Sequence, residues 1–281
     1  MQVTVHGGKV VDLTIVPLIQ IKPHEDTVPF LLDSIKRDMK RTGYQRDPIL
    51  TDRKTHLAFD GTHRFKALSA IGAKYALCAQ FNYLGPSVKL ERWLRYAIAP
   101  SQDLISTIAS VFHMRRSSSI RRAISQVDNG SSGVALLSTN KSLVSQDAPD
   151  ALHVYRKLRR IDKLCENENV DLQFAAESQK YDLFSSKSIF VLYPMKLSKK
   201  DVLRTVKNHG VFPYKTTRHI VPVRPMGMYF PLECLQRSTL TECSEKLEQI
   251  VKFSKVKLKQ RNVWYEGRRY SERLAVFTGI S

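Results

Sequence analysis

The sequence lacks the marks of a membrane, secreted or zinc-bound chain. None of its 281 residues lies in an apolar run approaching the roughly 20 residues that cross a bilayer. The beginning, Met1 to Asp12, lacks the charged-then-apolar layout of a secretory leader. A soluble, cytoplasmic chain is expected. Cysteines number only four, Cys78, Cys165, Cys234 and Cys243, and they form no CxxC pair. That spacing argues against zinc and against a disulfide framework, leaving buried or inert thiols as the expectation. There is no internal repeat. Acidic residues are scarce, 26 against 45 lysines and arginines, for a formal net charge of +19.

The basic excess is heaviest after residue 150 and fits an anionic partner or merely a solvated basic face. Its clusters are Arg115-Arg116, Arg121-Arg122, Arg156 to Arg160, Lys252 to Arg261 and Arg268-Arg269. They lack the regularly interleaved aromatics of a base-stacking platform, so charge alone speaks for nucleic acid. Small anionic substrates suit the same charge. The hydrophobic share, 42%, is enough for one large domain or two intimate ones.

The apolar pattern predicts strands over residues 10–21, broken by Pro17 and stopped by Pro23. A helix follows, capped by Asp26 or Thr27, with Pro29 in its first turn and Gly43 closing it. Its stripe is Val28, Leu31, Leu32, Ile35 and Met39. Residues 48–51 and 57–59 read as two strands joined by a polar turn, and residues 75–83 as a third. The compact unit closes near Gly85-Pro86. Beyond it the pattern predicts helices over 90–98 (carrying Trp93), 102–112, 148–165 and 240–259. Exposed connections are expected over 115–119 and 128–133, a hairpin over 134–144 and a strand over 189–193. Ser198 and Asp201 form a capping-box pattern for a helix ending at Gly210. A terminal hairpin is expected from residues 263–265 and 274–277.

Three constellations carry chemistry. Asp60-Gly61-Thr62-His63-Arg64 sits where the strand Leu57-Ala58-Phe59 gives way to a helix stopped at Gly72. Backbone N–H groups and the positive helix end favour an anion such as a phosphate there, with Asp60 available for a metal ion or a proton. An Asp N-cap with a solvated basic first turn accounts for the same residues. Pro23-His24-Glu25 places a carboxylate in the loop before a helix, where it could accept a proton from a hydroxyl or simply complement the dipole. Lys215-Thr216-Thr217-Arg218-His219 reads as an irregular loop with the donors of a carboxylate or phosphate clamp. A solvated basic loop is the plainer reading.

Together these residues resemble the free L-serine kinase family of the ParB/sulfiredoxin-like superfamily, above all its archaeal ADP-dependent members. The resemblance runs from about residue 15 to 235 and includes Ile21-Lys-Pro-His-Glu25, Pro48-Ile-Leu50, Asp60-Gly-Thr-His-Arg64, Gly72-Ala-Lys74 and Trp93. It also includes Leu197-Ser-Lys-Lys-Asp-Val202 and Pro213-Tyr-Lys-Thr-Thr-Arg-His-Ile-Val-Pro222, the most specific block. The resemblance implies an α+β chain: a ParB/sulfiredoxin-like nucleotide-binding domain over 1–100 and a second α/β lobe across a cleft. The second lobe, 101–281, would hold substrate loop 213–222 and a C-terminal helix-hairpin extension.

The implied reaction phosphorylates free L-serine to O-phospho-L-serine, feeding cysteine biosynthesis. Its donor is ADP, giving AMP, with ATP as the other candidate and Mg²⁺ required. By the same resemblance Glu25, Asp60 and His63 are catalytic, with Asp60 also the metal ligand. Gly61, Thr62, His63 and Arg64 hold the donor phosphates, while His24, Trp93, Lys215, Thr216, Thr217, Arg218 and His219 hold serine. A monomer or homodimer is expected.

Thr62 stands where the archaeal enzymes have a second histidine, and residues 115–140 and the tail after about 240 match them poorly. The alternative class is a ParB-like nucleotide- or DNA-binding regulator, but no Gly-Glu-Arg-Arg motif with a following helix-turn-helix is evident. Sulfiredoxin chemistry needs a cysteine in the Asp60 turn, where this chain has none.

Overall fold

The computed structural model describes residues 1–5, 9–146, 150–184 and 189–279. The chain is α+β, as expected, and divides into two units. One comprises Met1–Lys89, Val206–Val211 and His219–Ser281; the other comprises Leu90–Thr205 and Phe212–Arg218. Residues 219–281 therefore fold with the N-terminal region, and the range 213–222 is shared between the two units.

The first unit is built on a six-stranded mixed sheet. Its order is Gln2–Val5, Lys9–Pro17, Tyr75–Phe81, Ile49–Asp52, Leu57–Asp60 and Lys22–Pro23. Val11, Leu13, Ile49, Leu50, Leu57, Phe59, Leu77 and Ala79 are buried from it, so these central strands read as nearly continuous apolar runs. The helix Pro29–Thr42 ends on Gly43 at φ 75°, the left-handed cap its sequence predicts. Its start differs from the expectation: Val28 is the N-cap, and neither Asp26 nor Thr27 caps it. The Val28 N–H donates instead to Nε2 of His63, 3.0 Å away.

A smaller three-stranded sheet completes this unit, with Arg273–Thr278 parallel to Val223–Met226 and antiparallel to Lys255–Lys259. Two expectations are corrected here. The C-terminal helix stops at Phe253, and residues 255–259 form a strand, because Lys-Val-Lys-Leu-Lys alternates with the period of two that a strand requires. Val263–Tyr265 pairs with Arg268–Tyr270 and not with residues 274–277. The two-residue turn between them, Glu266 at φ 49° and Gly267 at φ 73°, has the positive φ pair that closes tight hairpins.

The second unit has a seven-stranded sheet whose main path is Gln173–Ala176, Lys89–Ile98, Ile189–Pro194, Val134–Ser138, Lys141–Ser145 and Met114–Arg116. Strand Thr217–Ile220 joins it by pairing with Lys89–Ile98. Leu94, Ala123, Val127, Ala135, Leu137, Val144, Val191 and Tyr193 form its core. Residues 90–98 are thus a strand and not the expected helix. Two arginines in that strand point inward: Arg92 binds Asp128, Glu177 and the Pro194 carbonyl, and Arg95 binds Asp162. The Arg115-Arg116 stretch, read as a connection, is strand, and helix Ile120–Asp128 follows it. The expected helix over 148–165 is observed as Ala151–Asn167, and its expected start at Ala148 lies outside the described residues. Ser198 and Asp201 bond reciprocally at 3.0 and 3.1 Å, confirming the capping box of helix Lys199–Lys207. Among the described residues no helix is long and apolar enough to cross a membrane.

The Arg95–Asp162 pair is bidentate, at 2.6 and 3.1 Å, with Arg95 fully buried. Removing one partner leaves an uncompensated buried charge. Asp162→Ala is expected to lower unfolding free energy by about 3–5 kcal/mol in urea titration; a loss under about 1 kcal/mol would show that the guanidinium finds other solvation.

Candidate active site

Within the first unit, strand Leu57–Asp60 hands over to helix Thr62–Ala70 through Gly61 at φ 95°. Gly61, not Asp60, is the N-cap. The turn favours a glycine because φ lies in the left-handed region; a Cβ would also meet Nη2 of Arg64 at 2.7 Å and push that side chain aside. Because Asp60 does not cap the helix, its carboxylate faces guanidiniums. Oδ1 is 3.3 Å from Nη2 of Arg64, and Oδ2 is 3.1 Å from Nη1 of Arg224. Arg64 also donates to the Pro48 carbonyl, and Arg224 donates through Nε to Glu272 at 2.7 Å. Burial raises the Asp60 pKa, but the charges of Arg224, Arg64 and Arg268 outweigh it and hold the carboxyl well below the usual range. Asp60 is ionised at neutral pH.

That donor set does not fit the expected role of Asp60 as metal ligand. Both of its oxygens face guanidiniums, and among the described residues no three His, Cys, Asp or Glu side chains gather as a metal site. The local surplus of positive charge suits an anion. Thr62 is buried and presents its backbone at the helix start. His63 accepts the Val28 N–H, which ties the helix start to the segment carrying Glu25.

Glu25 itself is mostly buried, with Oε1 3.6 Å from Nε2 of His24. Nδ1 of His24 donates to the Ala58 carbonyl at 2.7 Å, which fixes the ring. The His24 ring meets that of His219 edge-on, 5.2 Å between centroids. Nε2 of His219 lies 3.0 Å from the Tyr83 hydroxyl, and Phe59 stacks on Tyr83. Burial raises the Tyr83 pKa, with the negative charges of Glu25 and Asp52 adding to the effect, so the phenol stays protonated. The sequence reading grouped His219 with Lys215; the structure places it beside His24 and Tyr83.

In the second unit, Trp93, Lys215 and Arg218 come together. Nζ of Lys215 lies 4.0 Å from the Trp93 ring centroid, with the Tyr214 and Phe174 rings at 5.4 and 5.7 Å. The Arg218 guanidinium is 5.6 Å from the same indole and pairs with Glu91 at 2.6 Å. Trp93 donates its indole N–H to the Thr217 carbonyl. Two cations on one indole are held by cation–π attraction. Thr216 is buried and donates to the Pro213 carbonyl, so its hydroxyl closes the loop. Thr217, Arg218 and His219 lie on strand Thr217–Ile220, not on the irregular loop expected.

Sequence reasoning missed Tyr83, Glu91, Arg224 and Glu272. Arg224 left one signal, a lone cation inside the otherwise apolar run Val221 to Met226. The others resemble ordinary core or surface residues.

No family model matches the chain. The ATP-dependent L-serine kinase of Desulfurococcus mucosus is 27% identical over 243 residues, covering 81% of this chain and 92% of that protein. The ADP-dependent L-serine kinase SerK of Thermococcus kodakarensis is 23% identical over 232 residues, covering 80% and 93%. Among solved structures, a glutamate-to-alanine variant of free serine kinase in complex with ADP matches with TM-score 0.68 at 23% identity, covering 80% of this chain and 94% of that one. SbnI from Staphylococcus aureus, truncated at its C-terminus, matches with TM-score 0.71 at 17% identity, covering 85% and 95%. The resemblance to L-serine kinases read from the motifs is borne out, and the solved structures share the fold.

The depressed Asp60 pKa sets a sign for acid stability. Ionised Asp60 stabilises the fold fully above its unfolded value, near 3.9, and the contribution is lost as pH falls through the lower folded value. Asp60→Asn is expected to be less stable than wild type at pH 7, with the gap narrowing below about pH 4. Thermal melts across pH would contradict this if the gap stayed constant.

Proposed function

We propose that this chain transfers a phosphoryl group from an adenine nucleotide to the hydroxyl of free L-serine, giving O-phospho-L-serine. The observation that carries the reading is the pairing of two things in one chain. One is a mostly buried carboxylate, Glu25, set against His24; the other is an acceptor-poor arginine cluster around the Asp60 turn. Similarity to L-serine kinases using ATP or ADP, over 81% and 80% of this chain, supports the same substrate and either donor. Such an enzyme works in the cytoplasm, where nucleotide and free serine are available.

In this reading the serine oxygen attacks the terminal phosphorus, the new O–P bond forms, and the bridging P–O bond breaks to release AMP from ADP, or ADP from ATP. Glu25 accepts the hydroxyl proton. It is the only glutamate before Glu91, and solved free serine kinases include variants in which one glutamate is replaced by alanine or glutamine. His24, held by Ala58, orients Glu25; His63 positions the same segment through Val28. The N–H groups of Gly61, Thr62 and His63 and the Arg64 side chain face the donor phosphates, where charge spreads over the oxygens during transfer. Asp60 keeps Arg64 in place. A Mg²⁺ ion arriving with the nucleotide would add positive charge at the phosphate oxygens, and no residue of the Asp60 turn is assigned to hold it. Trp93, Lys215 and Arg218, all in the second unit, are assigned as a clamp for a carboxylate or phosphate, and within the first unit His219 braces the His24 ring.

Glu25→Gln keeps the side-chain shape but accepts no proton. Its rate of phosphoserine formation is expected to fall by about 10²–10⁴-fold, with nucleotide affinity unchanged. A variant retaining half the wild-type kcat would remove Glu25 from the chemistry. Lys215→Ala is expected to raise KM for serine more than KM for nucleotide, because it removes a cation of the carboxylate clamp. The reverse pattern in steady-state kinetics would assign Lys215 to the donor.

A further inference from the structure

The C-terminal hairpin, Val263–Tyr265 with Arg268–Tyr270, has no part in the chemistry above, yet it brings a third cation to the Asp60 turn. Arg268 shares the Tyr270 ring with Arg224, the partner of Asp60, and its charge adds to those that lower the Asp60 pKa. Its guanidinium sits 5.0 Å from the Tyr270 ring, and Arg224 sits 5.8 Å from the same ring. Tyr270 is buried and packs with Met226, Leu274 and Val276, while Val263 and Tyr265 pack against that cluster. Glu266, at the hairpin tip, pairs with Arg46. Arg268 is therefore carried on a braced element, not a loose tail, and it is exposed.

Around the turn three guanidiniums, Arg64, Arg224 and Arg268, face two carboxylates, Asp60 and Glu272. Donors also outnumber acceptors. Nε of Arg64 and Nη2 of Arg224 are buried with no hydrogen-bond acceptor among the described residues. A cluster short of negative charge and of acceptor oxygens is completed by a group rich in both, as a polyphosphate is. Arg64 and Arg224 are engaged with Asp60, and the exposed Arg268 adds a further cation for an incoming anion.

We propose that Arg268 is a donor-binding residue that pairs with the terminal phosphate of the nucleotide and favours the triphosphate over the diphosphate. The proposal rests on the nucleotide-using reading above and adds the basis of donor choice. A stacked guanidinium keeps its N–H edge for bidentate contact with phosphate oxygens, and the extra phosphate of a triphosphate supplies the matching charge.

The test is calorimetric titration of the full chain with ATP and with ADP, together with phosphoserine formation from each donor. Arg268→Ala is expected to weaken ATP binding about tenfold or more and ADP binding much less, as expected for losing one charge-assisted contact. Arg268→Lys should recover part of the ATP affinity. Arg269→Ala, on the opposite face of the same strand, should leave both affinities unchanged. Equal losses for the two nucleotides, or no loss, would overturn the assignment. If phosphoserine forms equally well from both donors with wild type and Arg268→Ala, the kinase reading stands and the role of Arg268 falls. If nucleotide binding depends on Arg268 as stated but no phosphoserine forms, the donor site stands and the kinase reading falls. Absence of nucleotide binding by the wild type would overturn both.

Discussion

The buried ion pairs of Arg224 with Asp60 and Glu272 are the constraint on which the first unit turns. A guanidinium that is 4% exposed must be neutralised, and only these two carboxylates reach it at 3.1 and 2.7 Å among the described residues. Asp60 ends an N-terminal strand, whereas Arg224 and Glu272 come from the C-terminal part of the chain. Neutralising one charge therefore joins the two ends of the sequence and fixes the side chain of the strand-to-helix turn. Gly61 makes this possible by taking the cap position, which leaves the Asp60 carboxylate for the arginines. The same pairing keeps Arg64 folded over Gly61, so the turn has an arranged set of positive groups before any ligand arrives.

A related economy of charge organises the second unit. Trp93 is bracketed by Lys215 and Arg218, and its indole N–H fixes the Thr217 backbone. Lys215 adopts φ 61°, an unusual conformation for a residue with a side chain, while its ammonium contacts three aromatic rings. Holding the cations on aromatic faces keeps them charged and oriented without burying them against carboxylates on every side. Glu91 then sets the direction of Arg218. Such preorganisation is what phosphoryl transfer asks of a protein, since the chemistry depends on positioning and charge stabilisation.

Much of this was legible in the sequence where local signals were strong. Pro29 and Gly43 bracket a helix as their backbone preferences require, the Ser198–Asp201 box opens another, and the Asp60 motif lies at a strand-to-helix turn. The failures have one physical source: polar residues that are buried because they are paired. Arg92 and Arg95 look like solvent positions and disguise strand Lys89–Ile98, although their partners Asp128, Glu177 and Asp162 neutralise them inside. Arg224 and Glu272 escaped for the same reason. His219 was grouped with Lys215 by sequence adjacency, but its ring contacts belong with His24, Tyr83 and Phe59. Pairings over long sequence separation leave no local signature, so the chemical residues were readable while the groups that hold them were not.

The central claim is that the acceptor is the hydroxyl of free serine. The most direct measurement supplies serine labelled with ¹⁸O in its hydroxyl, together with ADP or ATP, and follows the products by mass spectrometry. The account predicts O-phosphoserine that retains the label in its ester oxygen, with nucleoside monophosphate from ADP or diphosphate from ATP formed in equal amount. Nucleotide hydrolysis to inorganic phosphate without phosphoserine, or nucleotide left intact in the presence of serine, would contradict it.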